Sequence, residues 1–86
     1  MKEFVEYIIR NLVDAPLEVD VRSLQGEQGF LVEVRVAAGD VGKVVGRQGN
    51  TIRALRTIVS AISARLGTHV KLELIESEDV VEKIAT

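Results

Sequence analysis

The sequence predicts an α+β domain, a three-stranded mixed sheet with its helices packed on one face. Three observations carry that prediction. Apolar residues recur at helical or alternating spacing in the order helix, strand, strand, short helix, long helix, strand. Each alternating run has a single apolar side, so helices cover one face of the sheet while the other stays wet or meets a partner. Roughly 30 residues separate the second and third strands, enough for a right-handed crossover that pairs them in parallel.

Phe4, Val5, Ile8, Ile9, Leu12 and Val13 recur at spacings of three and four, which predicts an amphipathic helix from Lys2 to Val13. Glu3, Glu6 and Arg10 take its wet face, and Phe4 and Tyr7 are expected in the core. Pro16 prohibits continuation, so the helix stops near Asp14. Leu17, Val19 and Val21 alternate with Glu18, Asp20 and Arg22 as a first strand. Gln25 to Gly29 is a hairpin connection, and Phe30 to Ala37 returns antiparallel with Val32, Val34 and Val36 on one face and Glu33 and Arg35 on the other. Residues 39 to 45 form a short helix with Asp40 near its positive end. From Asn50 to Leu66 a second stripe runs through Ile52, Leu55, Ile58, Val59, Ile62 and Leu66, while Arg53, Arg56, Ser60 and Ser63 lie away from it. Gly67 is the expected helix stop. Val70, Leu72 and Leu74 alternate with His69, Lys71 and Glu73 as the third strand. Residues 1–76 are thus one domain. Residues 77–86 read either as a short helix with Val80, Val81 and Ile84 on one side or as an acidic tail.

Composition narrows the function. The chain has 86 residues, no cysteine and one histidine, so neither a disulfide framework nor thiolate chemistry is available. No apolar run reaches the roughly 20 residues that cross a bilayer, and the start lacks the regions of a signal peptide, so the expected location is cytoplasmic. There is no Ser-His-Asp or Cys-His set, the glycines fit neither the GxGxxG nor the Walker A spacing, and no carboxylate pair stands beside them. A non-catalytic role without cofactor or metal is expected.

The formal charge is −2, yet it is unevenly spread. Residues 1–38 carry four cations against seven acids, and residues 67–86 carry two against five. Residues 39–66 carry Lys43, Arg47, Arg53, Arg56 and Arg65 against Asp40 alone, a net of +4 on an acidic body. At the centre of that basic segment stands Gly46-Arg47-Gln48-Gly49 between the two helices. Glycine at both ends lets the backbone reverse and lets another chain approach closely. The following helix, starting at Asn50 or Thr51, directs its unpaired N–H groups and positive dipole end toward whatever crosses the loop, and an anion suits that place. Arg47 and Gln48 sit at the tip, asked to pack against nothing. Lys43, Arg53 and Arg56 are read as a phosphate track, with no opposite charge at neighbouring helical positions to pair with them.

Framed by Val45 and Ile52, the loop reads V-G-x-x-G-x-x-I, and this resembles the signature of the KH domain, which grips about four nucleotides of single-stranded nucleic acid at such a turn. The longer run from Gly39 through Val45 and GRQG to Ala54-Leu55-Arg56-Thr57, with Leu12 to Pro16 upstream, is similar to the KhpA family of small bacterial proteins, each a single type II KH domain. The resemblance covers nearly the whole chain to about Glu76. It implies the type II order α-β-β-α-GxxG-α-β, the same order that periodicity gives, and single-stranded RNA binding as a chaperone or post-transcriptional regulator. It implies RNA contacts from Lys43, Val45, Gly46, Arg47, Gln48, Gly49, Asn50, Ile52, Arg53 and Arg56. Val45, Ile52 and Val41 would floor an apolar groove whose opposite wall is the edge strand from His69 to Glu76, with His69 and Lys71 as further candidates. It also implies pairing with a second copy or with a KhpB-type KH protein. The alternative from composition is a protein-interaction module of the same fold with little affinity for nucleic acid, favoured by the acidic net charge and the scarcity of aromatic residues.

Overall fold

The computed structural model describes residues 1–75. The expected acidic tail or short helix over 77–86 therefore lies outside the described residues. Helix α1 spans Lys2–Arg10, strand β1 Asp20–Gly26, strand β2 Gly29–Arg35, helix α2 Val41–Val45, helix α3 Asn50–Leu66 and strand β3 Val70–Ile75. The sheet order is β1-β2-β3. β1 pairs antiparallel with β2, Val21 opposite Val34, and β2 pairs in parallel with β3, Val32 opposite Leu72. The predicted fold class and crossover are therefore observed, with the helices on one side of a mixed three-stranded sheet.

Alternation along the strands builds the core. Val21, Val32, Val34 and Leu72 are buried beneath Val5 and Ile9 of α1, Val44 of α2, and Ile52, Leu55 and Val59 of α3. The opposite sheet face carries charge pairs along each strand, Arg22 with Asp20 at 3.0 Å, Arg35 with Glu33 at 3.8 Å and Lys71 with Glu73 at 3.5 Å.

Four local expectations are corrected. Helix α1 ends at Arg10 rather than Val13, because Asn11 turns back on it: its side-chain Nδ2 donates to the Tyr7 carbonyl at 2.7 Å, and the Leu12 N–H donates to Ile9. Leu12 and Val13 still pack on the core from the linker. Tyr7 is 68% exposed and Phe4 lies at the rim, since Val5 and Ile9 hold the sheet-facing line and Tyr7, two residues from each, is carried to the far side. Strand β1 begins at Asp20, because Pro16 starts a 3₁₀ turn through Glu18 in which the Glu18 and Val19 amides donate to Ala15 and Pro16. That turn leaves Leu17 98% exposed instead of in the core. Along α3 the buried line is Ile52, Leu55, Val59 and Ser63, with Ile58 and Leu66 outside it. Ser63 was expected on the wet face; its hydroxyl satisfies itself on the Ser60 carbonyl at 3.0 Å, which lets it take a core position.

α3 runs over its whole predicted length and stops at Gly67, whose φ of +73° closes the helix with the Gly67 and Thr68 amides donating back to Ala64 and Ser63. The chain then enters β3 antiparallel to α3. As a result the glycine loop and the C-terminal end of β3 lie at the same end of the domain.

Candidate nucleic-acid interface

The GRQG loop is a backbone device. Gly46 has φ +77° and ψ 176°, Gln48 φ +56° and ψ 24°, and Gly49 φ +77° and ψ 12°, so three of four consecutive residues have positive φ. Gln48 is the one non-glycine residue among those described that does so. At Gly46 the requirement is steric as well: a Cβ there would collide with the Thr51 side chain, which folds over the glycine from the second residue of α3. Gly46 donates to the Gly42 carbonyl at 2.9 Å and Gly49 to the Gly46 carbonyl at 3.1 Å, while no backbone hydrogen bond uses the amides of Arg47 or Gln48. α3 starts without a side-chain cap. Its first-turn N–H groups and the positive end of a 17-residue helix therefore face the loop.

The cations divide into three situations. Arg47 is exposed at the tip and forms no ion pair among the described residues. Arg53 curls back, its Nη2 donating to the Gln48 carbonyl at 2.9 Å and to Asn50 Oδ1 at 2.5 Å, so it braces the left-handed residue. Arg56 reaches sideways, its Nε donating to the Leu72 carbonyl on β3 at 3.2 Å. Lys43 departs from expectation. Its Nζ lies 3.2 Å from Asp14 Oδ2 and 4.0 Å from Asp40 Oδ1, so it does have opposite charges as neighbours, one of them three residues back at the N-cap of its own helix. Sequence spacing offered that Asp40 partner, and Asp14 comes to it only through the fold.

Asp40 has a role that the sequence reading missed. It is 4% exposed and accepts from the backbone amides of Asp14 and Ala15, at 3.1 and 3.0 Å. This ties the linker after α1 to the start of α2 and fixes the segment that carries the loop. No local pattern announces a carboxylate serving amides 25 and 26 residues away.

Ile52 is 7% exposed and belongs to the core, while Val41 and Val45 are half-buried beside it. Between α3 and β3 lies an open cleft of about 760 Å³. Arg56, Val59 and Ser60 line it from the helix, and His69 with residues 70–74 of β3 from the other side, whereas Val41, Val45 and Ile52, expected as the floor of such a groove, do not line it. Ser60 is an addition. Because the Phe30 N–H of β2 donates to the His69 carbonyl, the odd-numbered residues from His69 onward turn their backbone groups to β2, and Val70, Leu72 and Leu74 direct theirs outward. Arg56 already uses one of these carbonyls. The structure thus brings Gly46 to Asn50, Ile52, Arg53 and Arg56 into one neighbourhood, leaves Val45 at its border and turns Lys43 toward the α1 linker.

The parallel docking of β3 on β2, together with a glycine-bounded turn joining α2 to α3, is the arrangement of a type II KH domain. The model of the family described as KhpA/KhpB, KH domain, matches residues 2–74, and the chain belongs to that family. It is 45% identical over 76 residues to the RNA-binding protein KhpA of Chlamydia trachomatis serovar D, covering 88% of this chain and 97% of that protein. It is 42% identical over 76 residues to the RNA-binding protein KhpA of Aquifex aeolicus, 88% of this chain and 96% of that one. To the RNA-binding protein KhpA of Borreliella burgdorferi it is 39% identical over 74 residues, 86% and 90% of the two chains. No solved structure matches the chain. Among the described residues no helix is long and apolar enough to cross a membrane.

Proposed function

We propose that this chain is a non-catalytic, single-stranded RNA-binding protein of the bacterial cytoplasm that acts as an RNA chaperone or post-transcriptional regulator. The observation that carries the reading is the loop itself. Gly46 and Gly49 hold Arg47 and Gln48 outward, with their amides unspent, in front of the uncapped start of α3. Phosphates cross Gly46-Arg47-Gln48-Gly49 and Asn50, with Arg53 behind them, and about four nucleotides are held. Bases lie over Val45 and Ile52 toward Arg56 and the β3 edge. Lys43, being paired, contributes least. The similarity to proteins named RNA-binding protein KhpA supports the RNA reading, and the family description, which joins KhpA with KhpB, supports pairing with a KhpB-type KH protein. Pairing with a second copy is the other form; either would lengthen the footprint and raise avidity.

Fluorescence anisotropy of a labelled pool of short single-stranded RNA, titrated with wild type and with Arg47→Asp/Gln48→Asp, tests the reading. Both side chains are exposed, so circular dichroism should show the variant folded. Wild type binds with a log–log salt slope of about −2 for some three phosphate contacts, and the variant loses binding. Equal binding by both would move the site off the loop, and no binding by either would favour a protein-interaction module.

A further inference from the structure

We propose that the RNA track does not stop at Arg56 but continues along the cleft between α3 and β3 to His69, where a further subsite takes one or two nucleotides beyond those held from the loop. The proposal rests on the RNA reading above and adds to it the length of strand that the domain accepts.

The first observation is where the open space lies. Arg56 crosses the cleft at mid-strand, its Nε on the Leu72 carbonyl. From Asn50 to Arg56 the helix covers about 9 Å, the stretch that serves the loop-bound nucleotides. The cleft of about 760 Å³ runs on past that bond, to Ser60 one turn further along α3 and to His69 three residues before Leu72. Three residues of extended chain advance about 10 Å, whereas stacked nucleotides rise only about 3.4 Å each. The far half is therefore long enough for one or two more.

The second observation is the lining. Val59, Val70 and Leu72 are buried and form an apolar floor. The backbone N–H and carbonyl of Val70 point outward along the edge of β3, and Ser60 stands across from them on the helix. An apolar floor with a donor and an acceptor on one wall suits a nucleobase, whose faces are flat and apolar and whose edge is polar. Charge agrees, since Arg56 and Lys71 stand against Glu73 among the lining residues.

The third observation is that the far end is anchored. Gly29 has φ +141°, and a side chain there would collide with the His69 carbonyl, which accepts from the Phe30 N–H at 2.8 Å. The missing Cβ lets β2 close on His69 and fixes that wall of the subsite.

The test is fluorescence anisotropy at low salt with labelled random pools of single-stranded RNA, four and six nucleotides long, on the full chain. A site for four nucleotides gives the hexamer only the gain of its extra registers, about threefold, whereas an added base and phosphate contact give about tenfold or more. The log–log salt slope should also steepen by about 0.7 for each added phosphate. Ser60→Glu places bulk and negative charge in the far half and should return the hexamer-to-tetramer ratio to about threefold, the register gain alone. Ala61→Glu makes the same charge change at the next residue, outside the cleft, and should keep the wild-type ratio. Both positions are exposed, so circular dichroism should show both variants folded. NMR of wild type reads the subsite without any variant: the amides of Val59, Ser60, His69 and Val70 should shift further with the hexamer than with the tetramer. A wild-type ratio near the register gain, a ratio untouched by Ser60→Glu, or equal shifts with both RNAs would overturn the proposal and leave the loop reading standing. Binding of neither RNA by wild type would refute the RNA reading, and this proposal with it.

Discussion

Arg53 closes on the carbonyl of Gln48 at 2.9 Å, from a helix position five residues further along the chain. The same nitrogen also donates to Asn50, so a cation that sequence spacing assigns to a phosphate track is also the brace of the loop that carries the track. Arg53→Ala should weaken RNA binding about tenfold, the loss of one charge-assisted bond of about 1.5 kcal/mol. It should also speed hydrogen exchange at the loop amides while leaving the melting curve nearly unchanged. An affinity loss without faster exchange would mean that Arg53 touches RNA but does not hold the loop.

Gly46→Ala places a methyl group into Thr51 at a φ of +77°. We expect a cost of about 2 kcal/mol, by strain at positive φ and forced displacement of the first turn of α3. Urea unfolding measures it. At Gly42, where a Cβ would meet nothing within 4 Å, alanine should be tolerated.

Asp40→Ala removes the acceptor for the amides of Asp14 and Ala15 together with a neighbour of Lys43. Two partly buried donors left unpaired should cost about 2 to 4 kcal/mol, and Asp40→Asn, which keeps one acceptor oxygen, about half. Equal stability of all three proteins would show that water replaces the carboxylate.

Leu17→Ser should change stability by less than about 0.5 kcal/mol, as for exposed positions generally, whereas Val19→Ala, two residues on and buried, should cost about 2 kcal/mol. The pair distinguishes the 3₁₀ turn from a strand starting at Leu17, in which both would matter.

Much of this was legible because the informative signals are local. The limits of α3, its stop at Gly67, the hairpin and the one-sided strands follow from periodicity and glycine placement, and the parallel crossover follows from the length between strands. What escaped depends on distant chain segments. Asp40 serves a linker far upstream, Arg56 binds a carbonyl that only the docking of β3 supplies, and Lys43 meets Asp14 across two elements. Leu17 and Ser63 misled because a proline turn and a hydroxyl bonded to its own helix each override what alternation or polarity suggests. Within the loop, three positive φ values and the bracing by Arg53 give shape to what GRQG had only indicated in outline.

The most direct measurement of the central claim is NMR titration of the full chain with short single-stranded RNA. Binding at the loop predicts the largest amide shifts at Gly46 to Arg53, smaller ones along Val70 to Leu74, and none on the charged outer face of β1. Shifts centred on that outer face, with the loop unmoved, would contradict the account.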